Sequence, residues 1–247
     1  MKRLDLLLTE KGLTESRTRA NDIIKKGAVR VNGVVVKKPS ALTDIDSQII
    51  IDSEYVCPYV SRGGLKLEGA LDSFKVSVND LVCLDVGAST GGFTDCLLQR
   101  GAKRVYAIDS GSAQLHPSLL SDDRVISLEN LNAKEMSRDN VPELIDLCVM
   151  DVSFISQVKL YPSIIPLLNN GATLITLIKP QFEVGRSGIS KGGIVKDEKL
   201  RNKAVSDVIE QASLYGLENV GVIVSPIRGG DGNVEFLSCF KYKCVNN

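Results

Sequence analysis

Four ionisable side chains stand at the edges of apolar segments, where a folded chain could bring them into one crevice. Asp151 ends the segment DLCVMD, and Lys179 ends the segment ATLITLIK. Glu235 opens the last apolar segment, and Lys66 lies nineteen residues before Asp85. Amines and carboxylates held together can position a proton on a substrate or remove it. Any one of these charges could simply mark a strand end that meets water, so we predict function from the convergence of all four.

A glycine-rich segment, LDVGASTGGFT, leaves a predicted strand and enters a predicted helix. Glycines let the backbone approach a ligand closely, and the start of a helix adds a positive dipole. The pattern is GxxxGG, which differs from the GxGxxG of dinucleotide sites and from the GxxxxGK[ST] of nucleotide sites. Asp85, just ahead of the first glycine, favours a positively charged cofactor such as S-adenosylmethionine. A dinucleotide remains the alternative.

Asp109 ends the next predicted strand, RVYAID, twenty-four residues after Asp85. A carboxylate at this point can accept hydrogen bonds from the hydroxyls of a ribose. Sites for nicotinamide dinucleotides also end their second strand with an acidic residue. Asp109 therefore predicts a nucleoside ligand but does not decide between S-adenosylmethionine and a dinucleotide.

Apolar strands alternate with helical segments from Lys66 onward, which predicts an α/β fold with a parallel sheet covered on both faces. The predicted strands are LVCLDVG, RVYAIDS, RVISLEN, DLCVMDVSF, ATLITLIKP, NVGVIVSP and NVEFLSCFKY. Ligands of such folds bind at the carboxyl ends of the strands. Only IRGGDG joins the last two strands, and this is too short for a helical crossover, so we expect that pair to be antiparallel.

The first 55 or so residues predict a separate small module. RLDLLLTEKG has apolar residues at helical spacing, and LTESRTRANDIIKKG predicts a second helix that ends at Gly27. AVRVNGVVVKKPS predicts a hairpin, because the pair Asn32–Gly33 suits the positive φ angles of a tight turn.

The net charge of zero hides two opposite halves. Residues 1–43 hold ten basic and four acidic side chains, a net charge of +6, and the remaining residues carry −6. Few acids lie among the basic residues of the first module, which favours a surface for RNA phosphates over an ordinary solvated face.

These motifs resemble two known families. RLDLLLTEKG and SRTRANDIIKKGAVRVNG resemble an S4 domain, a small module that binds structured RNA through its backbone. The order of Lys66, Asp151, Lys179 and Glu235 is similar to the K-D-K-E tetrad of FtsJ-type ribose 2′-O-methyltransferases. With VSRGG, DVGASTGGFTD and KPQFEVGR, the chain as a whole resembles the TlyA family, often labelled hemolysin A.

The resemblance implies methylation of a cytidine ribose 2′-hydroxyl in ribosomal RNA, with S-adenosylmethionine as cofactor. It also implies a Rossmann-like body with a seven-stranded, mostly parallel sheet. The implied domains are an S4-like domain at 1–58, a linker at 59–65 and a methyltransferase domain at 66–247. The implied partners are ribosomal RNA or ribosomal subunits.

The site residues follow from this resemblance and from the motifs. Lys66, Asp151, Lys179 and Glu235 are the predicted catalytic residues; Lys179 would take the hydroxyl proton or only orient the hydroxyl, and Lys66 would steady the alkoxide or a phosphate. The predicted cofactor residues are Asp85, Gly87, Ser89, Thr90, Gly91, Gly92, Phe93, Thr94 and Asp109, with Glu129 and Asn130 near the adenine. The predicted RNA-binding residues are Arg3, Arg17, Arg19, Lys25, Lys26, Arg30 and Arg62.

Several other classes of protein are disfavoured. Six cysteines without a CxxC pair and a single histidine, His116, predict no metal site and a reducing compartment. No apolar run reaches the ~18 residues of a membrane span and no signal peptide is evident, so we expect a cytoplasmic protein without membrane contact. The alternatives are an RNA-binding protein with an inactive methyltransferase-like body, a hemolysin, and a pseudouridine synthase, whose Gly-Arg-Leu-Asp context is missing.

Overall fold

The computed structural model describes residues 1–14, 16–52, 57–185, 188–190, 192–229 and 232–244. The chain forms two compact units, residues 1–58 and 59–247. Residues 59–65, predicted to be a linker, lie in the second unit, where Tyr59 is buried and a helix begins at Gly63. The glycines of this segment allow close packing, since a Cβ on Gly64 would lie 2.3 Å from the ring of Tyr59.

Within its described residues, the first unit contains two helices and five short strands. They are β1 (Lys2–Arg3), α1 (Leu4–Glu10), α2 (Arg17–Lys26), β2 (Val29–Val31), β3 (Val34–Val35), β4 (Leu42–Thr43) and β5 (Ile49–Ile51). Ser16 begins α2, since its side chain accepts a hydrogen bond from the backbone of Arg19, and Gly27 ends the helix with a φ of 82°. The predicted hairpin is confirmed, with φ angles of 48° at Asn32 and 83° at Gly33.

The core of the first unit lies between its helices and a three-stranded sheet. β2 pairs with β3 and β5 in antiparallel register, and β1 pairs separately with β4. Leu4 and Leu8 of α1 and Ile23 and Ile24 of α2 are buried against Val29. The apolar residues therefore face the sheet, and most basic side chains of the helices are left at the surface.

The second unit alternates strands and helices, as predicted. Its elements are α3 (Gly63–Phe74), β6 (Val82–Val86), α4 (Gly92–Gln99), β7 (Arg104–Ile108), α5 (Pro117–Leu120), β8 (Val125–Leu128), β9 (Ile145–Met150), α6 (Tyr161–Ile164), β10 (Leu168–Ile178), α7 (Pro180–Glu183), α8 (Glu198–Ser213), β11 (Leu217–Val224) and β12 (Phe236–Tyr242). Short 3₁₀ turns lie at Ala133–Glu135, Gln157–Leu160 and Ile165–Leu167.

These strands form one seven-stranded sheet in the order β11-β12-β10-β9-β6-β7-β8. β10, β9, β6, β7 and β8 run parallel, whereas β12 is antiparallel to both of its neighbours. The predicted α/β class and the antiparallel final pair are confirmed. The carboxyl ends of the five parallel strands consequently share one edge of the sheet with the start of β12.

Alternate residues of each strand pack on opposite faces of the sheet. Leu84 and Tyr106 face a large apolar core that includes Tyr161 of α6 and Ala212 of α8. Asp85 points to the other face, where it meets Thr94 of α4. Helices on both faces bury the strands and leave the edge formed by the strand ends for loops.

The cysteines belong to this packing. All six are free, and only Cys244 is exposed. Within the described residues, no helix combines the length and the apolar character that crossing a membrane requires.

Candidate active site

The four predicted catalytic side chains meet as a chain of ion pairs at the carboxyl edge of the sheet. Lys66 Nζ lies 2.7 Å from Glu235 Oε2 and 3.9 Å from Asp151 Oδ2. Lys179 Nζ lies 2.6 Å from Asp151 Oδ1. The order is therefore Glu235, Lys66, Asp151, Lys179, with two positive and two negative groups. All four are largely buried, Glu235 most fully at 3% exposure.

Glycine-on-glycine packing brings Lys66 to this edge. Lys66 lies in the first turns of α3, a helix that was not predicted from the sequence. A Cβ on Gly92 would lie 2.9 Å from the backbone nitrogen of Gly64, so the start of α3 can rest on the start of α4 only because residue 92 lacks a side chain. This contact joins the VSRGG motif to the glycine-rich loop.

Lys179 is held from several sides. Pro180 follows it as the first residue of α7, and Lys179 itself is extended, as a residue before proline prefers. Its Nζ donates a hydrogen bond to Ser153 Oγ at 2.8 Å in addition to the ion pair with Asp151. The ring of Phe182 lies 5.9 Å from Nζ. Sequence reasoning missed Ser153, whose only signal was its place two residues after Asp151.

The lysine cavity, as we call it, has a volume of about 320 Å³ and opens beside these ion pairs. Its wall includes Ser61, Arg62, Lys66, Asp151, Ser153, Lys179 and Arg228, together with glycines 63, 87 and 92 and Phe93. Arg62 precedes α3 and is exposed at this cavity, so a predicted RNA-binding residue lies beside the predicted catalytic ones.

The glycine-rich loop requires glycine for steric reasons at two points. Gly87 has a φ of 86°, and a Cβ there would lie 2.7 Å from the backbone oxygen of Asp151. Gly91 has a φ of 95°, and a Cβ would lie 2.2 Å from Leu119 Cδ1. The loop therefore passes so close to the end of β9 and to α5 that a side chain at residue 87 or 91 would clash.

A second cavity, the Asp109 cavity, has a volume of about 520 Å³ and lies on the other side of this loop. Ile108, Asp109, Leu131, Asn132, Ile155 and Leu160 contribute to its wall. Gly87, Ser89, Asp151 and Ser153 line both cavities. A ligand in the Asp109 cavity would therefore adjoin a second ligand in the lysine cavity.

Asp109 also shapes the loop itself. Its Oδ2 accepts a hydrogen bond from the backbone of Ser89 at 2.8 Å, and its Oδ1 accepts one from Gly111 at 2.7 Å. Each carboxylate oxygen can accept a further bond. Asp109 can thus hold the loop and still bind a ligand hydroxyl.

Asp85, predicted to bind the cofactor, lines neither cavity. It is fully buried beneath the loop, where Thr94 Oγ1 donates to its Oδ2 at 2.7 Å. Burial raises the pKa of Asp85 to about 7. The pair of Asp85 and Thr94 therefore supports the loop from below.

Four further predicted cofactor positions line neither cavity. Glu129 accepts hydrogen bonds from the backbones of residues 113, 114 and 115 at 2.6, 3.0 and 3.2 Å, which lower its pKa. Asn130 has a φ of 56° and donates its backbone N–H to Gly111. The backbone of Thr90 accepts from His116, and Gly91 packs on Leu119. These residues shape loops around the cavity; Gly92 and Phe93 line the lysine cavity instead.

Phe154 is an exposed aromatic residue that sequence reasoning also missed. It is 91% exposed, has a φ of 65°, and lines the Asp109 cavity. Its ring centroid lies 5.2 Å from that of Phe182. Holding a large, exposed apolar residue in the left-handed region at a cavity mouth costs free energy of folding, which indicates a role in binding.

The predicted RNA-binding residues of the first unit divide into two groups. Arg3 and Arg17 both bond to the fully buried Asp5 at 2.9 Å, and the hydrogen bond from Arg3 is the main reason that the pKa of Asp5 is lowered. Arg19 donates to the backbone of Cys57, and Lys26 pairs with an acid one turn away. Lys25 and Arg30 are exposed and form no ion pair with any described residue.

Comparison with known proteins gives matches in both units. The FtsJ-like methyltransferase family matches residues 59–242, and the S4 domain matches residues 2–46. Hemolysin A of Brachyspira hyodysenteriae is 48% identical over 243 residues, which cover 96% of this chain and 99% of that protein. The 16S/23S rRNA (cytidine-2'-O)-methyltransferase TlyA of Mycobacterium tuberculosis is 42% identical, over 95% of this chain and 87% of that protein.

A solved structure shares the same architecture. It is described as a hemolysin from Streptococcus thermophilus, superimposes with a TM-score of 0.78 and is 41% identical. The match covers 98% of this chain and 88% of the other. Sequence and structure thus match relatives along nearly the whole chain.

Proposed function

Because the chain belongs to the TlyA family of FtsJ-like methyltransferases, we propose that it transfers a methyl group from S-adenosylmethionine to a cytidine 2′-hydroxyl in ribosomal RNA. The family predicted from the motifs is confirmed by these matches. The observation that carries the proposal is the position of Asp151, which pairs with both lysines and lines both cavities. A hydroxyl in one cavity would lie next to a cofactor in the other.

The Asp109 cavity suits a positively charged nucleoside better than a dinucleotide. Its volume is within the range of about 300–1,000 Å³ that is usual for small-molecule sites. Asp109 and Asp151 line it, and none of its described lining residues is a lysine or arginine that would bind a pyrophosphate. Ile108, Leu131 and Leu160 offer apolar surface to an adenine. When bound, S-adenosylmethionine supplies an electrophilic methyl group on a positively charged sulfur.

The ion pairs suit the activation of a ribose hydroxyl, which is a weak nucleophile until its proton is held or removed. Lys179 would orient the hydroxyl oxygen and receive its proton or pass it to water, while Asp151 and Ser153 keep Lys179 in place. Lys66, held by Glu235, would stabilise negative charge on the oxygen. Placing oxygen and methyl carbon in line supplies much of the remaining acceleration.

The RNA would engage both units. The S4 domain of the first unit, with Lys25 and Arg30 exposed, supports binding to structured RNA. In the second unit, the exposed ring of Phe154 offers a surface on which an unstacked base can lie. An enzyme with this substrate would work in the cytoplasm, where we expect the protein.

The test is methyl transfer to ribosomal subunits that lack the modification. The protein is incubated with labelled S-adenosylmethionine and with small and large subunits in separate reactions, and the RNA is digested to nucleosides. We expect label in 2′-O-methylcytidine, and we expect Lys179→Ala to lower the rate at least 100-fold, the low end of what a positioned acid–base group contributes.

Lys243→Ala is the matched control, because Lys243 is an exposed lysine that follows β12 at the opposite edge of the sheet and, among the described residues, pairs only with Glu218. It should retain full activity. Label on a base, or full activity of Lys179→Ala, would contradict the proposal. Tight RNA binding without any transfer by the native protein would favour an RNA-binding protein with an inactive body.

A further inference from the structure

The connection between β11 and β12 forms one wall of the lysine cavity, through Ile227 and Arg228. Its two ends are joined by a hydrogen bond from the backbone of Ser225 to that of Glu235 at 2.9 Å. Ser225 Oγ also donates to the backbone of Ile227 at 2.7 Å. The hydrogen bonds of Ser225 therefore hold the segment that precedes Arg228 in a defined conformation.

Asn233 ties the same connection to a distant part of the second unit. It is 2% exposed, its side-chain oxygen accepts from the backbone of Val195 at 3.0 Å, and its amide donates to the backbone of Gly193 at 3.0 Å. The backbone of Gly229 bonds in turn to that of Asn233 at 3.0 Å. A buried amide that is hydrogen-bonded through both its oxygen and its nitrogen gives the neighbouring loop residues a defined position.

Gly229 brings this connection against the ion pairs. A Cβ on Gly229 would lie 2.5 Å from Glu235 Oε1, so the backbone next to Arg228 lies directly over the Glu235 carboxylate. Glu235 bonds to Lys66. Arg228 is thus placed next to the catalytic charges by packing that leaves no room for a side chain at residue 229.

The charge of Arg228 is not used within the described part of the molecule. Lys66 and Lys179 are balanced by Asp151 and Glu235, so the four groups have no net charge to offer a phosphate. Arg228 is exposed and forms no ion pair with a described residue; its guanidinium makes one long contact, 3.4 Å, with the backbone oxygen of Gly232. Arg228 therefore adds an uncompensated positive charge to the wall of the cavity.

We propose that Arg228 binds the RNA phosphodiester next to the target ribose and thereby positions the 2′-hydroxyl. The inference rests on the proposed function. In RNA, the 2′-hydroxyl and the 3′-phosphodiester are attached to neighbouring ribose carbons, so a group that holds the phosphate also restricts the hydroxyl. A guanidinium can bind two phosphate oxygens at once. Lys66, which we first predicted to steady a phosphate, has two carboxylates as partners and is less suited to this role.

The test compares Arg228→Ala, Arg228→Lys and native protein in the methylation of ribosomal subunits. We expect Arg228→Ala to lower kcat/KM about 10-fold or more, mainly through KM for RNA, because a hydrogen-bonded charge is lost. The slope of log(kcat/KM) against log[salt] should fall by roughly 0.7–0.9, the value for one phosphate contact. Arg228→Lys keeps the charge and should recover part of kcat/KM and most of the slope. The affinity for S-adenosylmethionine, measured by calorimetry, should be unchanged.

Arg124→Ala is the matched control, since Arg124 is a partly exposed arginine that pairs with Asp122 just before β8, at the opposite edge of the sheet. It should match the native protein in kcat/KM and in salt dependence. If the native protein methylates ribose and Arg228→Ala has the same KM and salt slope as the native protein, the proposed role of Arg228 is contradicted. If the native protein transfers no methyl to ribose, the proposed function itself fails.

Discussion

Asp151 joins the two cavities of the second unit. Its carboxylate oxygens face different lysines, with Oδ1 2.6 Å from Lys179 and Oδ2 3.9 Å from Lys66. Its backbone oxygen lies so close to Gly87 that no Cβ would fit between them. One residue therefore sets the spacing between the lysines and the glycine-rich loop, which explains why the two cavities share a wall.

Asp85 contributes to the same region by supporting the loop. It is fully buried, and one of its oxygens, Oδ1, has no hydrogen-bond partner among the described residues. Burial raises its pKa to about 7, against the influence of the hydrogen bond from Thr94. Asp85 therefore makes the stability of the protein depend on pH in a range where most carboxylates no longer titrate.

We predict that Asp85→Asn reduces this pH dependence. The folded pKa is above the unfolded value of 3.8, so between about pH 4 and 7 the unfolded chain loses the proton first, and the native protein loses stability as pH rises. The asparagine oxygen can still accept from Thr94 and does not titrate. Relative to native protein, Asp85→Asn should gain up to a few kcal/mol between pH 4.5 and 8, at about 1.4 kcal/mol per pKa unit.

Urea unfolding at both pH values measures the difference. Asp146→Asn serves as a control, because Asp146 accepts hydrogen bonds from Val82 and Asn169 at the other edge of the sheet. A constant difference between Asp85→Asn and native protein across this range would show that Asp85 is ionised throughout.

At the scale of elements, the short helix α7 fastens the segment that follows β9. Lys179, just before α7, bonds to Ser153, and the ring of Phe182 contacts that of Phe154. Glu183 Oε1 accepts from the backbone of Gln157 at 3.1 Å, which places an acid at the start of the 3₁₀ turn there. Lys179 and the helix α7 together thus make three contacts that hold the wall of the Asp109 cavity.

We predict that Glu183→Ala loosens this wall, whereas Glu183→Gln preserves it. Burial raises the pKa of Glu183, and its Oε1 accepts the hydrogen bond from the backbone of Gln157. Glutamine keeps an acceptor for the Gln157 backbone, and alanine does not. Affinity for S-adenosylmethionine should fall about 10-fold in Glu183→Ala, the cost of a lost hydrogen bond to a buried group. It should change less than 3-fold in Glu183→Gln. Equal losses in both variants, measured by calorimetry, would contradict this.

The glycine-rich loop allows a sharper steric test. Gly87 and Gly171 both have positive φ angles, but a Cβ on Gly87 would meet the Asp151 backbone, whereas a Cβ on Gly171 would have no atom within 4 Å. Gly171→Ala should cost about 1–2 kcal/mol of unfolding free energy, the conformational penalty alone. Gly87→Ala should cost 1–3 kcal/mol more through overpacking. Similar losses, measured by denaturant unfolding, would mean that the loop moves aside freely.

At the scale of the whole molecule, the opposite charges of the two parts of the chain acquire separate roles. The +6 segment 1–43 belongs to the S4-containing unit, and the remaining residues, with −6, include the acidic Asp109 cavity. Zero net charge therefore does not argue against an RNA substrate. The charge that matters is the exposed, unbalanced part of each unit.

We predict that Arg30→Ala and Arg17→Ala fail in different ways. Arg30 is exposed without a described ion pair, so its loss should weaken RNA binding and lower the salt slope by roughly one without changing stability. Arg17 bonds to the fully buried Asp5, so its loss should cost about 1–3 kcal/mol of stability. Filter binding at several salt concentrations and thermal unfolding separate the two effects. Equal stability of both variants would contradict the structural role of Arg17.

The organisation of the fold was accessible from sequence because its signals are local. Strand and helix periodicity, the Asn32–Gly33 turn and the short IRGGDG connection each involve a few neighbouring residues, and the structure agrees with them. The segment 59–65 was predicted as a linker because its glycines are typical of a flexible connection. Its partner Gly92 comes near only when α3 packs on α4.

The sequence by itself determined the family, the order of the elements and the set of charged residues at the strand ends, since these depend on residue types and short spacings. Only the tertiary structure decided how the charges are used. Lys66 meets Glu235 across 169 positions of sequence, and Asp5 engages Arg17 across twelve. The partners that already hold a charged group decide how it can act on a ligand, and nearness across such separations is a property of the folded chain.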